Sequence, residues 1–144
     1  MRTSLQKTRD RVYSLATQAT RRIAACYNHE LAPLGLTAQQ VTALAVLWKE
    51  ENLSLGVFAK RAGIGKAAAV AMIRRLEAMG LVISGPHPAD GRKNVIRLTQ
   101  KALELAPEVA SRINSLENSI ESQIGGSNIH ALMETLKKIR DLKI

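Results

Sequence analysis

The sequence is poor in several things that many functions need. It has one cysteine, Cys26, among 144 residues, which excludes an intramolecular disulfide and a cysteine-rich zinc module. Its only aromatic residues are Tyr13, Tyr27, Trp48 and Phe58, too few for a surface that grips single strands by stacking bases on rings. The longest charge-free stretch, residues 31–48, is broken by Pro33, Gly35, Thr37, Gln39, Gln40 and Thr42, which does not suit a membrane span. Motifs of catalysis are missing as well. No phosphate-cradling glycine loop follows a strand, and no motif pairs two carboxylates. Gly63-x-Gly65 follows a helix, which excludes a nucleotide fingerprint. His29, His87 and His130 stand apart, and Cys26-x-x-His29 is a lone pair without further ligands. The sequence therefore predicts no enzyme, no cofactor and no metal site.

Acidic residues are also in deficit, with 12 Asp+Glu against 21 Lys+Arg and a formal net charge of +9. The excess is unevenly placed: residues 1–30 carry +4, 31–51 carry −1, 52–101 carry +7 and 102–144 carry −1. Charge that merely keeps a protein dissolved has no reason to collect in the middle third. A polyanion-facing centre on a neutral frame does. With 46% apolar residues the chain reads as one folded domain, and that length buries about two-thirds of the unfolded surface without a staple.

Hydrophobic spacing divides the chain into helices and one hairpin. Val12, Leu15, Ala19, Ile23 and Cys26 recur at three- and four-residue intervals, predicting a long amphipathic N-terminal helix. Its Arg- and Thr-rich, acid-poor composition is shared by organelle transit peptides, but it runs into Leu31 and a Pro33/Gly35 turn without a cleavage-like break. Thr37 and Gln40 form a capping box for a helix whose predicted buried stripe is Val41, Leu44, Ala45 and Trp48. Ser54 caps a short helix through Ala62, stopped by Gly63, and a second runs from about Gly65 to Met79, stopped by Gly80. Leu81-Val82-Ile83 and Asn94 to Leu98 read as antiparallel strands around a turn-rich loop, Gly85 to Lys93. A long helix begins near Thr99 or Gln100, with a stripe of Val109, Ile113, Leu116, Ile120 and Ile124. Pro107 is expected to bend it or mark its true start. A last helix, capped by Ser127 or Asn128, presents Ile129, Leu132, Met133, Leu136 and Ile139.

The predicted fold class is thus mainly α with a small β-hairpin (α+β): a winged helix-turn-helix unit between N- and C-terminal helices. Its physics suits double-stranded DNA, because a helix fits the major groove and a hairpin loop can place an arginine in the narrow minor groove. Lys66 at the start of the second helix, Arg74 and Arg75 late on it, and Arg92 and Lys93 on the loop lie on one supersecondary unit. The only acids near them are Glu77 and Asp90. Any one of the five could be a solvated surface charge; all five together point to a DNA-facing side.

At these residues the sequence resembles the MarR-type transcriptional regulators. The resemblance covers nearly the whole chain, and its motifs lie in LAPLGLTAQQVTALAVLW, LSLGVFAKRAGIGKAAAVAMIRRLEAMGLV and DGRKNVIRLTQKALEL. The last piece is the most specific. The family carries an Asp-x-Arg wing and a strand ending Leu-Thr, places held here by Asp90, Arg92, Leu98 and Thr99. The resemblance implies one MarR-type domain over residues 1–144, with 1–36 and 99–144 as dimerisation helices and 37–98 as the winged unit. It implies a cytoplasmic homodimer, without a membrane segment, on a pseudo-palindromic operator. It further implies a repressor relieved by a small-molecule effector, with Arg92 in the minor groove and Asp90 orienting it. Residues 65–75 would lie in the major groove. Family ligand pockets lie between the dimer helices and the DNA lobe, where Tyr13, Tyr27, His29 and Trp48 are conceivable linings, although packing explains the aromatic ones equally well. Some members sense peroxide through an N-terminal cysteine. Counted from Leu36-Thr37, that position falls near Tyr13, while Cys26 sits on the apolar stripe as a small buried hydrophobe.

One departure from the family bears on specificity. Hydrogen-bonding side chains are common over the first two turns of the family's recognition helix. Here it reads Lys66-Ala67-Ala68-Ala69-Val70-Ala71. The candidate DNA-facing residues are Lys66, Ala67, Ala68, Val70, Ala71, Arg74, Arg75, Asp90, Arg92 and Lys93. Alanine makes no hydrogen bond and meets only a thymine methyl. Moderate sequence discrimination and strong salt dependence are therefore expected. The competing function is a non-catalytic architectural or partner-recruited winged-helix protein with weak specificity. RNA binding is disfavoured, since the A-form major groove does not admit such a helix.

Overall fold

The computed structural model describes residues 11–144. The elements are α1 (Val12–Leu31), a 3-10 turn (Ala32–Leu34), α2 (Ala38–Lys49), α3 (Leu55–Ala62), α4 (Lys66–Ala78), β1 (Val82–Pro86), β2 (Asn94–Leu98), α5 (Gln100–Ile124) and α6 (Gly126–Arg140). This is the mainly helical chain with a single hairpin expected from the sequence. The first ten residues, part of the predicted 1–36 segment, lie outside the described residues.

Helix ends follow local chemistry. Thr37 Oγ1 accepts from the Gln40 amide at 3.2 Å, and Gln40 Oε1 accepts from the Thr37 amide at 3.0 Å. Asn28 Oδ1 accepts from the Ala38 amide at 2.7 Å, so α1 satisfies a third orphan donor of α2 and fixes the angle between the two helices. Thr37→Ala is accordingly expected to cost about 1 kcal/mol of stability. Urea unfolding of both proteins at one concentration checks this, and an unchanged midpoint would deny the cap its role.

The burial of α2 differs from the predicted stripe. Val41, Ala43, Leu44 and Leu47 are buried, whereas Ala45 is exposed and Trp48 half-buried. A single-face periodicity sees one neighbour, but α2 packs against α1, α3, α5 and β2, so its covered face is rotated and wider. Trp48 spans the edge of that face, its indole Nε1 donating to Ala102 O at 3.2 Å.

Between α3 and α4 the turn closes on Gly63, whose φ of +68° lies in the left-handed region that glycine adopts without penalty. The following Ile64 amide reaches back to Ala59 O at 3.1 Å. Arg61 also ties α3 to the end of α2 through Glu50 at 3.1 Å. Beneath this pair lies the core, with Phe58, Leu31, Leu44, Leu47, Leu76, Leu81 and Val82 essentially inaccessible. Gly80, also left-handed, ends α4 and lets the Leu81 amide bond Leu76 O at 2.9 Å. That closure drops Leu81 into the core just before the hairpin.

The hairpin pairs Val82 with Leu98 and Pro86 with Asn94. Its first strand begins one residue later than predicted and continues through Gly85 and Pro86, residues that the turn signals assign to the loop. Pro86 is tolerated because it ends an edge strand, where its missing N–H breaks no inner ladder bond. Leu53 adds a short third rung, its carbonyl accepting from the Ile96 amide at 2.7 Å. Thr99 then locks the unit. Its amide donates to Leu81 O at 3.0 Å, its hydroxyl donates to Gly80 O at 2.6 Å, and Oγ1 accepts from the Ala102 amide at 3.3 Å. Lys101 Nζ donates to Met79 O at 2.8 Å, neutralising the C-terminal end of α4. A Leu-Thr ending to the second strand thus has a physical reason: one threonine caps α5 and fastens the end of α4.

Helix α5 runs through Pro107 without restarting there. The proline and Leu103, whose carbonyl it leaves without a helical donor, both lie on the exposed side. Along α1, Tyr27 donates its hydroxyl to Glu117 Oε1 at 2.7 Å, and Arg112 Nη1 approaches Glu30. Burial and the adjacent carboxylate push the Tyr27 hydroxyl up to about 12. Helix α6 starts directly after Gly125, with no side-chain cap. Asn128, predicted as a cap, instead turns back and donates to Ile124 O at 2.8 Å. No residue of α6 is buried.

Candidate nucleic-acid interface

Helix α4 follows the turn after α3 and buries Ala69, Met72, Ile73 and Leu76. Each residue advances about 100° around the axis, so the side farthest from the core carries Ala67, Ala71, Arg74 and Ala78. Lys66 and Val70 flank it towards the hairpin, and Ala68 and Arg75 flank it towards α2. The predicted set is therefore brought onto one outward arc: Lys66, Ala67, Ala68, Ala71, Arg74 and Arg75 are exposed and Val70 is half-buried. Neighbours in sequence, Arg74 and Arg75 part company in space. Arg74 lines a cleft against the hairpin with Val70, Glu77, Ser84 and Asn94. Arg75 lines a cleft of about 370 Å³ on the other side with Ala38, Gln39, Thr42, Ile64 and Ala68.

The loop between the strands is built around Asp90. Its Oδ1 accepts from the Arg92 amide at 3.2 Å and from Arg92 Nε at 3.1 Å. Arg92, first through its side chain and then through its backbone amide, holds the Asp90 carboxyl below the usual carboxylate range. His87 Nδ1 accepts from the Ala89 amide at 2.9 Å, while the His87 and Lys93 main chains close the base of the loop at 2.7 Å. The loop is thus ordered by its own short-range bonds, yet the Arg92 side chain is 92% exposed. Lys93 beside it is exposed as well.

Two pairings around α4, one a hydrogen bond and one a shared cleft, escaped the sequence. Ser84 Oγ on β1 donates to Glu77 Oε1 at 2.7 Å, and Gln39 joins Arg75 at the α2-side cleft. No local motif announces either one, because each pairs residues that only the packing of α4 against its neighbours brings together. Of the conceivable pocket linings, Tyr13 is 84% exposed, Tyr27 is engaged by Glu117, Trp48 by Ala102 O, and His29 is exposed. Cys26, expected to be buried, is only partly so, since α1 has a single covered side. Among the described residues no group of three or more His, Cys, Asp and Glu is placed to hold a metal ion. No single helix among them is long and apolar enough to cross a membrane.

Two helices joined by a glycine turn, a hairpin with a cationic tip, and an outward face whose exposed cations outnumber its acids define a winged helix-turn-helix DNA-binding protein. Residues 34–93 match the profile of the MarR family. Over those residues the chain is similar to that family, and the curated relatives it matches are HTH-type transcriptional regulators. It is 26% identical over 113 residues to the HTH-type transcriptional regulator BilQ of Clostridioides difficile (strain CD3), covering 78% of this chain and 76% of that protein. It is 30% identical over 117 residues to the HTH-type transcriptional regulator TtmR of Methylorubrum extorquens (strain PA1), covering 80% of this chain and 58% of that protein. Among solved structures it superposes on BpsR of Bordetella bronchiseptica, described as regulated in its DNA binding by 6-hydroxynicotinic acid. The TM-score is 0.83 at 26% identity, over 94% of this chain and 96% of that one.

Proposed function

We propose that the protein is a homodimeric, cytoplasmic repressor that occludes a promoter by binding a pseudo-palindromic operator and leaves it when a small molecule binds. The observation that carries the reading is the exposed apolar surface on α1 and α6 among the described residues. Helix α6 exposes Leu132, Met133, Leu136 and Ile139, each at least 41% accessible, and α1 exposes Val12, Leu15 and Ile23. Apolar surface of this extent calls for a partner. A twofold mate covers it with the fewest new assumptions, since residues 1–36 and 99–144 then form the dimer frame and 37–98 the DNA unit. The dimer would present two copies of the basic lobe, with Lys66, Ala67, Ala68, Val70, Ala71, Arg74 and Arg75 towards the major groove. Asp90, Arg92 and Lys93 would meet the minor groove and the phosphates.

The effector reading draws on the cleft beside Arg75. Arg75 is its one charged lining residue amid alanines, Thr42 and Ile64, a setting for a small, largely apolar anion such as the carboxylic acid that regulates BpsR. A ligand there would touch α2 and α4 together and shift the spacing of the two recognition helices. Selection of bound duplexes from random DNA tests the whole reading. Enrichment of an inverted repeat with half-site centres about 10 bp apart is expected, with two chains per duplex. Even binding with no enriched motif would favour an architectural role instead.

A further inference from the structure

We infer that Arg74 is the principal base-reading residue of this protein, recognising a guanine beside thymines in each half-site, and that the Ser84–Glu77 contact keeps it available. This rests on the DNA-binding reading above and adds what the helix reads.

Side chains on a helix lean towards its N-terminus, so a residue covers the surface over the preceding turn. From the cleft that it lines with Val70, Arg74 can therefore reach along α4 past Ala71. Because Ala71 ends at Cβ, the guanidinium has an open path along the outermost line of α4 towards Ala67, the part that enters the groove first. Of the other two cations of this helix, Lys66 sits at the flank and Arg75 faces the α2-side cleft. Glu77 lies three residues from Arg74, where an ion pair along the helix would ordinarily form. It is bonded to Ser84 at 2.7 Å instead, and Arg74 joins none of the ion pairs found among the described residues. An exposed, unpaired arginine with no hydrogen-bonding side chain beside it on the outer line suits the two acceptors of guanine, O6 and N7. Ala67 and Ala71, about 6 Å apart along the axis, offer methyl surfaces to thymines within two or three base pairs of that guanine.

The test uses the full-length protein and the duplex enriched from random DNA. Replacing the half-site guanine by 7-deazaguanine, which removes only N7, is expected to weaken wild-type binding about tenfold or more. The same replacement should leave Arg74→Ala unaffected. Replacing the adjacent thymines by deoxyuridine, which removes only the methyl, should weaken binding by a smaller factor. Arg74 is exposed, so an unchanged melting temperature confirms that the variant folds. Ser84→Ala should lower affinity for the guanine duplex selectively, because Glu77 is released to pair with Arg74. Equal sensitivity to 7-deazaguanine in wild type and Arg74→Ala overturns the assignment, as does an enriched motif without guanine. Failure to bind any duplex overturns the DNA-binding reading itself.

Discussion

Leu136→Glu is expected to yield a monomer that no longer holds its operator. Leu136 lies midway along α6, a helix with no buried residue, and is 49% exposed beside Leu132, Met133 and Ile139. In a twofold interface the substitution enters twice, and burying an unpaired carboxylate costs several kcal/mol at each position. Once separated, the two winged units lose the effective concentration that couples their half-sites, worth about 10²- to 10⁴-fold in apparent affinity. Light scattering at micromolar concentration gives the mass and a titration of the enriched duplex gives the affinity. The winged unit should survive intact, because its core of Phe58, Leu44, Leu76 and Leu81 is made without α6. A variant that stays dimeric, or a wild-type protein of 15.7 kDa in solution, would sink the dimer reading.

Arg92→Ala is expected to lower DNA affinity tenfold to a hundredfold while leaving the dimer and the melting temperature unchanged. The side chain is 92% exposed and is tethered to Asp90 in the same loop, so stability has little to lose. An arginine entering a narrow minor groove gains from the enhanced negative potential there. Removing it should also lower the slope of log affinity against log salt by about 0.9 for each phosphate that is no longer neutralised. The wild-type slope should itself be steep, since residues 52–101 carry +7. A variant with the wild-type slope and affinity would show that the wing does not touch DNA. Dissociation of the dimer would show that the loop serves the subunit interface instead.

Much of the fold can be read from residues near one another in the chain. The Thr37–Gln40 box, the Ser54 cap and the glycine stops at 63 and 80 mark helix ends through bonds spanning a few residues. Each is chemistry that a short window contains. The structure departs from that reading where a boundary depends on something distant. Pro86 belongs to a strand because Asn94 pairs with it, and α2 buries Leu47 rather than Ala45 because several elements cover it. Asn128 acts as a staple rather than a cap because α6 follows α5 with a single non-helical residue between them.

The candidate site divides in the same way. Composition and charge partition locate the basic unit, and spacing places Lys66, Arg74, Arg75, Arg92 and Lys93 on it. Adjacent letters do not reveal that Arg74 and Arg75 serve opposite sides of α4, because direction on a helix has meaning only once the buried side is known. Nor do they reveal that Glu77 is occupied by Ser84, since that bond crosses from helix to strand.

The scarcities of the sequence left no pair of cysteines for an intramolecular disulfide or a cysteine-rich metal module, and too few aromatics for a base-stacking surface. Its local periods and caps determined a chain of helices with one hairpin, because helix, turn and cap energetics are settled within a few residues. The tertiary structure alone decided which side of α4 faces outward, that Glu77 bonds Ser84 while Arg74 joins no ion pair among the described residues, and that α6 has no buried residue. Those outcomes depend on contacts between segments far apart in the chain, whose burial is shared among several elements at once.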